Sequence, residues 1–393
     1  MTATLAAATE ALLGVYRRPP VEFVRGSGVE LFDSEGKSYV DFVAGIAVNA
    51  LGYGDAGLES AMRNALESSL IHVSNLYRSQ PGERLADRLV EKSFADRVFF
   101  CNSGAEANEA AFKLARRWGG AAGGAAKHEI VALRGGFHGR LFGTLAATDR
   151  PQYRAPFRPL AGGISICERD LDELSTVLSP ETVAAVIVEP IQGEGGVRVL
   201  DPAFMRGLRA LTRDRNVLLI FDEIQCGYGR TGQFWAYEQT GITPDVLTIA
   251  KPMAGGLPMG AVLATAAAAS AMQPGDHGTT FGGGPFVASV ALHVLDRLSD
   301  PAMLAHVRER GAEMQGALTA LQESSPKVRA VRGTGLMWGI DVAEPAKDIV
   351  ARAMDLGLLI CSAGEYTVRL VPPLVVNSAD IHRGISLLKA AIG

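Results

Sequence analysis

A series of short apolar runs, separated by helical stretches, constrains the fold of this chain more than any other feature. The runs cover residues 98–101, 130–133, 186–188, 217–221 and 246–249, and none shows a regular alternation of polar and apolar residues. Such runs are typical of strands that helices cover on both faces, as in parallel sheets. The sequence therefore predicts an α/β fold with a mostly parallel sheet.

A helix connects two of these runs. Asp201 fits its N-cap position and Pro202 its first helical position. A strand, a helix and a second strand in this order form a parallel pair with a right-handed crossover. Ligands of such sheets collect at the carboxyl ends of the strands, so the residues directly after each run form the candidate site.

Both ends of the chain show a different pattern. Near the start, strand-like segments flank a turn at residues 34–37 and indicate a hairpin. After residue 300, helix-like and strand-like segments are mixed. We predict a large domain of residues 56–300 and a smaller α+β domain of residues 301–393, which the N-terminal residues 1–55 join.

The charge balance of the chain argues against polyanionic partners. Its 393 residues include 38 basic and 42 acidic side chains, so the formal net charge is −4. This balance favours neither nucleic acid nor an anionic membrane as a partner. No segment has the roughly 18 uninterrupted apolar residues that a membrane span needs, and residues 1–20 do not resemble a secretory or transit sequence. We expect a cytoplasmic protein with small-molecule partners.

The cysteines give no sign of a metal site or a disulfide framework. Cys101, Cys167, Cys226 and Cys361 lie far apart in sequence, and none forms a CxxC pair. We expect no metal site and no disulfide. We predict that these cysteines are buried small hydrophobes.

Lys251 follows the last apolar run, with only Ala250 between them. A lysine at that depth must find a partner, lower its pKa or form a covalent bond, because an unpaired buried ammonium is costly. Nucleophilic and Schiff-base lysines occupy such positions.

Acidic and amide side chains follow the run at residues 217–221. Asp222, Glu223 and Gln225 stand there. A strand that simply reaches the surface can end in this way, because Asp and Glu then meet water. The alternative is that these groups face a cation inside a site.

A helix start follows the run at residues 98–101. Ser103 and Glu106 form a capping-box pattern, and Gly104 allows a ligand to approach the backbone. A helix N-terminus favours an anion such as phosphate. An ordinary capped helix has the same pattern, so both interpretations stay open here.

Glycine-rich loops follow two further runs. Phe137 and Arg140 stand among glycines after residues 130–133, where they suit an aromatic platform and a carboxylate clamp. An ordinary surface turn is the alternative. Glu194 stands in a second glycine-rich loop, after residues 186–188.

Taken together, these side chains fit pyridoxal phosphate. That cofactor needs a lysine for covalent attachment, an acid opposite its pyridine nitrogen, an anion site for its phosphate and an aromatic face for its ring. The chain supplies each of these groups at the end of a predicted strand. A dinucleotide site is the alternative for glycine-rich loops, but no GxGxxG motif follows a strand and opens a helix here.

The chain resembles the class III, fold-type I pyridoxal phosphate aminotransferases along nearly its whole length. The segments that carry the resemblance are YVDFVAGIAVNALG, CNSGAEANEAAFKLAR, GGFHGR, VEPIQGEGGV, FDEIQCGYGRTG, PDVLTIAKPMAGGLPMGA and HGTTFGG. The resemblance implies a large domain with a seven-stranded sheet flanked by helices. It also implies ping-pong transfer of the terminal amine of N2-acetyl-L-ornithine, or a similar ω-amino acid, to 2-oxoglutarate, in arginine biosynthesis.

The resemblance assigns roles to individual residues. The residues implied to hold pyridoxal phosphate are Lys251 by a covalent bond, Asp222 at the ring nitrogen, Gln225 at the ring hydroxyl, Phe137 by stacking, Ser103, Gly104 and Ala105 at the phosphate, and Thr280 at the phosphate of the neighbouring subunit in a homodimer. The residues implied to bind substrate are Arg140 with Thr279 nearby, Arg369, and Glu194, which pairs with Arg369 when the other substrate is bound. Two residues are implied to be catalytic: Lys251 as the general base and acid, and Asp222 as the carboxylate that keeps the ring nitrogen protonated.

The amino donor stays open within the family. Ornithine, 4-aminobutyrate and succinyl-diaminopimelate can each present a carboxylate to Arg140. A related aminomutase, a decarboxylase or a non-enzymatic binding relative are further alternatives. The chain departs from the usual family pattern at residues 52–57, at Leu141 and at Gly284.

Overall fold

Helices and strands alternate along the computed structural model of the protein, which describes residues 11–393. The strands, in chain order, are β1 (Phe23–Ser27), β2 (Glu30–Asp33), β3 (Ser38–Asp41), β4 (Arg97–Cys101), β5 (Glu129–Leu133), β6 (Ile164–Cys167), β7 (Val183–Val188), β8 (Ile191–Gln192), β9 (Arg198–Val199), β10 (Leu218–Asp222), β11 (Val246–Ile249), β12 (Gly260–Ala264), β13 (Val328–Thr334), β14 (Met337–Val342), β15 (Leu358–Leu359), β16 (Cys361–Ser362) and β17 (Thr367–Leu370). The helices are α1 (Ala44–Ala47), α2 (Ala56–Glu67), α3 (Gln80–Glu91), α4 (Gly104–Gly123), α5 (Phe142–Ala146), α6 (Pro151–Arg154), α7 (Leu171–Val177), α8 (Pro202–Asp214), α9 (Ala266–Ala269), α10 (Pro285–Leu298), α11 (Pro301–Ser324), α12 (Ala346–Asp355) and α13 (Ser378–Ile392). Short 3₁₀ turns cover Ala155–Phe157, Ala236–Gln239 and Lys251–Ala254.

The large sheet contains seven strands in the order β4-β12-β11-β10-β7-β5-β6. Its strands run parallel except β12, which is antiparallel to both β11 and β4. Every predicted apolar run forms a strand of this sheet, so the predicted mostly parallel α/β fold is confirmed. Strands β6 and β12 lie outside the predicted runs.

The two faces of this sheet pack against separate apolar layers, which explains why the runs do not alternate. In β10, Leu219 and Phe221 belong to one buried cluster, whereas Leu218 and Ile220 belong to another. Helix α4 supplies several residues of the second cluster. Each buried side chain of this kind contributes roughly 1.5–3 kcal/mol of hydrophobic free energy. Both layers therefore hold the central strand in place.

Helix α8 connects β7 to β10 and begins as the sequence predicts. The Asp201 carboxylate accepts hydrogen bonds from the backbone N–H groups of Ala203 at 2.5 Å and Phe204 at 3.4 Å. Pro202 occupies the first turn. Because β7 and β10 are parallel neighbours, the residues that follow them lie at the same edge of the sheet.

Strands from both ends of the chain share a second sheet, of order β1-β2-β3-β15. Strands β2 and β3 form the predicted hairpin, and Asp33 Oδ1 accepts from the N–H groups of Glu35 at 3.0 Å and Lys37 at 2.9 Å in its turn. Strand β15 pairs with β3 in parallel. A third sheet has the order β13-β14-β17-β16. These pairings support a small domain built from both termini, whose bounds stay a prediction.

Within residues 11–393, none of the helices combines the length and the apolar character that crossing a membrane requires. The prediction about a targeting sequence concerns residues 1–20, and the first ten of these lie outside the described residues.

Candidate active site

A cavity of about 420 Å³ lies where β4, β5, β7, β10 and β11 end. The predicted site residues that line it are Ser103, Gly104, Ala105, Phe137, Arg140, Asp222, Gln225 and Lys251. Apolar side chains that complete its wall are Val48, Ile224, Leu257 and Met259. The parallel sheet therefore gathers groups from separate loops into one site.

Lys251 occupies the first position of the 3₁₀ turn that follows β11. Its φ angle of 28° lies in the left-handed region, where residues with a Cβ are strained. Its side chain is half-buried in the cavity wall. Burial, and then repulsion from Arg369, lower the pKa of the amine. A larger fraction of the amine is therefore unprotonated near neutral pH, which suits a nucleophile.

Asp222 ends β10 and is held by two side chains that are not among the predicted site residues. Its Oδ2 accepts hydrogen bonds from Asn108 Nδ2 at 2.8 Å and from His138 Nδ1 at 2.8 Å. A carboxylate oxygen accepts hydrogen bonds, so His138 Nδ1 is the donor in this contact. Thr248 Oγ1 donates in turn to Asn108 Oδ1 at 2.7 Å. This network fixes the orientation of the Asp222 carboxylate.

The sequence does contain a signal for Asn108. It is an amide on the buried face of α4, where its neighbours Ala107, Ala110 and Ala111 pack in the apolar layer. A buried amide needs hydrogen-bond partners, so its position predicts a polar contact. The identity of the partner, Asp222, depends on the fold.

Glu223, next to Asp222, has a structural role. Its Oε2 accepts from Ala236 N–H at 2.7 Å and its Oε1 from Tyr237 N–H at 2.7 Å. Burial raises the pKa of this carboxyl to about 8. The two adjacent acids at the end of β10 therefore serve different purposes.

Glu189 is a buried carboxyl in the cavity wall that is also absent from the predicted set. Its Oε2 accepts from Phe137 N–H at 2.9 Å, and its Oε1 accepts from Gly193 N–H at 3.2 Å. It therefore ties the loop of Phe137 to the loop that carries Glu194. Burial raises the pKa of Glu189 to about 7, although the nearby His138 opposes the rise.

Helix α4 begins at the cavity wall with Gly104, and Ser103 is its N-cap. Ser103 Oγ accepts from Glu106 N–H at 3.3 Å, while the Glu106 carboxylate accepts from Asn102 N–H at 2.6 Å. A Cβ at Gly104 would lie 2.8 Å from the side chain of Ile224, so only glycine fits without movement. The first-turn N–H groups of this long helix can bind an anion at the cavity.

Arg369 is almost fully buried, with 1% of its side chain exposed. Its Nη1 lies 2.6 Å from Glu194 Oε1 and donates to Gln225 Oε1 at 3.1 Å. Gln225 lines the cavity, so this arginine is adjacent to the site. The ion pair is the one that the family resemblance implies.

The prediction that every cysteine is a buried hydrophobe is wrong for Cys361. This residue is only half-buried, whereas Cys101, Cys167 and Cys226 are buried. Arg369 Nε donates to Cys361 Sγ at 3.3 Å. The contact arises because β16 and β17 place these two residues opposite each other.

Arg140 is exposed and contacts aromatic rings. Its guanidinium carbon lies 3.4 Å from the centroid of the Tyr153 ring and 5.9 Å from that of Phe137. Tyr153 is not among the predicted site residues. Among residues 11–393, no acidic side chain pairs with Arg140.

Thr279 and Thr280 lie outside the cavity lining. Thr279 Oγ1 accepts from Asn102 Nδ2 at 3.2 Å, so this threonine is adjacent to a residue of the cavity. Thr280 is exposed, and the fold of one chain does not bring it into its own cavity. Its position is open to a contact with a second subunit.

This set of groups fits pyridoxal phosphate. In the described part of the chain, the Lys251 amine has neither a hydrogen bond nor an ion pair, so it is available for a covalent bond. Asp222 supplies a fixed carboxylate, Phe137 an aromatic face, and the start of α4 an anion site. Each group that the cofactor needs is therefore present on one cavity.

The family described as Aminotransferase class-III matches residues 15–392 of the chain. The mitochondrial acetylornithine aminotransferase of Alnus glutinosa is 45% identical over 387 residues, which cover 97% of this chain and 86% of that protein. The succinylornithine transaminase of Yersinia enterocolitica is 44% identical and covers 95% of this chain and 93% of that protein.

Solved structures agree with this grouping. The N-acetylornithine aminotransferase from Stenotrophomonas maltophilia is 36% identical with a TM-score of 0.83, and the match covers 95% of each chain. The ornithine aminotransferase from Toxoplasma gondii, described with partial occupancy of PLP at its active site, is 29% identical with a TM-score of 0.93. That match covers 98% of this chain and 92% of the other.

Proposed function

This chain belongs to the class-III aminotransferases, which depend on pyridoxal phosphate, and we propose that it transfers the terminal amine of N2-acetyl-L-ornithine to 2-oxoglutarate. The products are the semialdehyde and L-glutamate. Relatives named acetylornithine aminotransferase support this donor, because they are 41% to 45% identical over nearly the whole chain. One observation carries the two-substrate reaction: among residues 11–393, Arg369 is paired with Glu194 whereas Arg140 has no acidic partner.

The two arginines suit a donor with one carboxylate far from its amine and an acceptor with two carboxylates. Arg140 has no acidic partner in the described residues, so it can bind the donor carboxylate. Arg369 is neutralised by Glu194 and becomes available only when Glu194 moves away. One site can therefore take the two substrates in turn, as a ping-pong reaction requires.

When bound, pyridoxal phosphate supplies an electron-accepting ring that stabilises the electron pair left on the substrate carbon. We propose that Lys251 attaches the cofactor, that Phe137 stacks on its ring and that Gln225 contacts its ring hydroxyl. The backbone at the start of α4, with Ser103, would hold the phosphate. The common cavity of these residues supports the assignment.

The side chains around Lys251 support its role in proton transfer. Its Nζ, with a lowered pKa, takes a proton from the substrate carbon and returns it at a later step. The Asp222 carboxylate, placed at the ring nitrogen, favours the protonated form of that nitrogen. His138 and Asn108 keep this carboxylate in position.

We propose a homodimer in which Thr280 contacts the phosphate bound in the neighbouring subunit. The exposed position of Thr280, outside its own cavity, supports this arrangement. A role in arginine biosynthesis and a cytoplasmic location also stay predictions.

A donor screen with 2-oxoglutarate tests the proposal. The donors are N2-acetyl-L-ornithine, N2-succinyl-L-ornithine, L-ornithine, 4-aminobutyrate and N-succinyl-diaminopimelate, and glutamate formation is followed. We expect the highest kcat/KM with N2-acetyl-L-ornithine and one glutamate per donor consumed. The succinylornithine relative makes N2-succinyl-L-ornithine the second candidate. A higher kcat/KM for any other donor would replace the proposed one.

The same screen separates the more distant alternatives. An aminomutase or a decarboxylase would consume donor without matching glutamate. A non-enzymatic relative would bind no cofactor and show no cofactor absorbance. Either result would contradict the proposed reaction.

A further inference from the structure

The guanidinium carbon of Arg140 lies over the ring of Tyr153. Their separation of 3.4 Å, from the guanidinium carbon to the ring centroid, is that of direct face contact. Arg140 belongs to the loop after β5, and Tyr153 belongs to α6. Tyr153 is half-buried whereas Arg140 is exposed, so the ring covers part of a side chain that is otherwise exposed to solvent.

Stacking leaves the hydrogen-bond donors of Arg140 free. The N–H groups of a guanidinium lie in its plane, so an aromatic ring on its face occupies none of them. In the described residues, Arg140 makes neither a hydrogen bond nor an ion pair. Arg369 differs, because its Nη1 and Nε are bonded to Glu194 and Cys361. Arg140 is therefore oriented and still able to bind a carboxylate through two N–H groups.

The backbone that carries Tyr153 is anchored to the loop that carries Arg140. Asp149 N–H donates to Gly136 O at 2.8 Å, and Asp149 Oδ2 accepts from Gly135 N–H at 2.8 Å. Tyr153 follows within the same segment, where its N–H donates to Arg150 O at 2.9 Å. These contacts fix the two segments relative to each other, and with them the stacked pair.

We propose that Tyr153 is a positioning residue that sets the plane of the Arg140 guanidinium for binding the carboxylate of the substrate. The proposal rests on the proposed function, in which Arg140 is the receptor of that carboxylate. Without the ring, the exposed arginine would sample many rotamers and would lose entropy on each binding event. Removal of the ring should therefore weaken the binding of carboxylate substrates. The rates of the steps after binding should change little.

Tyr153→Leu removes the aromatic face, and Tyr153→Phe keeps it. We expect Tyr153→Leu to raise KM for the carboxylate donor and for 2-oxoglutarate by about tenfold, with kcat changed less than about twofold. Tyr153→Phe should restore KM to within about twofold of the unchanged enzyme. Phe157→Leu is the matched control, because Phe157 is an exposed aromatic residue of the same segment with 54% exposure.

A second measurement does not depend on turnover. Binding of glutarate, a dicarboxylate, to the cofactor-loaded enzyme is followed by calorimetry for the same variants and for Arg140→Ala. Weaker binding in Tyr153→Leu and Arg140→Ala, with recovery in Tyr153→Phe, is the expected pattern. Unchanged binding in Arg140→Ala would contradict the proposed role of that arginine.

Two other patterns would overturn the inference itself. In the first, Arg140→Ala weakens glutarate binding while Tyr153→Leu leaves it unchanged, so the ring has no part in orienting the arginine. In the second, Tyr153→Phe is as impaired as Tyr153→Leu, so the hydroxyl group matters instead of the ring face. A loss of kcat with unchanged KM in Tyr153→Leu would also contradict a positioning role.

Discussion

Arg369 Nη1 lies 2.6 Å from Glu194 Oε1, beside a cavity that is lined by a second arginine, Arg140, which has no acidic partner in the described residues. In the proposed function, this ion pair keeps Arg369 from binding a carboxylate and leaves Arg140 available for one. A substrate with a single carboxylate therefore has one place to bind. If Arg140 binds the donor carboxylate as proposed, we expect the amine of the bound donor to point away from Arg140.

Glu194→Gln should change which substrate reacts faster. The amide no longer neutralises Arg369, so both arginines attract carboxylates at rest. We expect KM for 2-oxoglutarate to fall and KM for the ω-amino donor to rise, each by about three- to tenfold. Half-reaction rates with glutamate and with the donor, measured by the absorbance of the cofactor, check this. Glu365→Gln, an exposed acid without an ion pair to Arg369, should leave both values unchanged.

Lys251→Ala should abolish covalent attachment of the cofactor and turnover. The amine of Lys251 is the nucleophile and the base in the proposed reaction, and alanine can replace neither function. The absorption band of the attached cofactor should be absent, and glutamate formation should fall to background. Retention of that band together with full turnover would show that another residue attaches the cofactor.

Asp222→Ala should slow proton transfer while cofactor attachment persists. The ring nitrogen loses its carboxylate, so the ring accepts electrons less well. We expect a fall in the single-turnover rate of about a hundredfold or more. Asp214→Ala is the control, because its side chain is 79% exposed at the end of α8. Undiminished transfer in Asp222→Ala would contradict its proposed role.

Glu189 should make the fold less stable as pH rises from about 5 to about 8. Its folded-state pKa is raised to about 7 by burial, above the ordinary value of about 4.3. The folded protein therefore holds a proton that the unfolded chain has lost, and stability falls with pH across this window and levels off above it. Below the pKa of the unfolded state, the Glu189 carboxyl is protonated in both states, so it does not make stability depend on pH.

Glu189→Gln tests this pH dependence. The free energy of unfolding is measured with denaturant at pH 5 and at pH 8. From the lower to the higher pH, the value for the unchanged protein should fall by on the order of 2 kcal/mol relative to the value for the variant. Glu323→Gln, an exposed acid on α11, is the control and should show no such difference. An equal stability difference at both pH values would mean that Glu189 does not titrate in this window.

Two adjacent glycines in α4 should respond in opposite directions to alanine. A Cβ at Gly119 would lie 2.2 Å from Lys127 O, whereas nothing lies within 4 Å of a Cβ at Gly120. Gly119→Ala should destabilise the protein by about 1–3 kcal/mol. Gly120→Ala should stabilise it by about 0.5–1 kcal/mol, because alanine favours the helix. Denaturant unfolding of both variants checks the pair, and a similar change in both would contradict this packing.

The sequence predicts those parts of the fold and site that depend on local pattern. Apolar runs that lack alternation predict the buried strands, and the polar residues after them predict the cavity wall. Strand β12 lies outside the predicted runs because its Gly-Ala-Val-Leu-Ala sequence contains small residues and is followed closely by the alanines of α9, with only the N-cap Thr265 between them. Strand β6 lies at the edge of the sheet, where burial is incomplete and the apolar signal is weak.

The supporting residues depend on contacts between distant segments, which local pattern does not contain. Asn108 reaches Asp222 across 114 positions of the chain. The half-burial of Cys361 and its contact with Arg369 depend on the pairing of β16 with β17. The contact of Tyr153 with Arg140 depends on the path of the segment between them. These residues support the candidate site through contacts that their neighbours in sequence do not specify.

The positive φ of Lys251 has a consequence for protein engineering. A strained backbone angle of this kind raises the free energy of the folded state by on the order of 1–3 kcal/mol. Glycine would adopt the same angle without strain, yet it would remove the reactive amine. Stability and activity therefore favour different residues at one position. A library of variants ranked by melting temperature alone would discard the lysine, so any such selection on this protein needs an activity screen beside it.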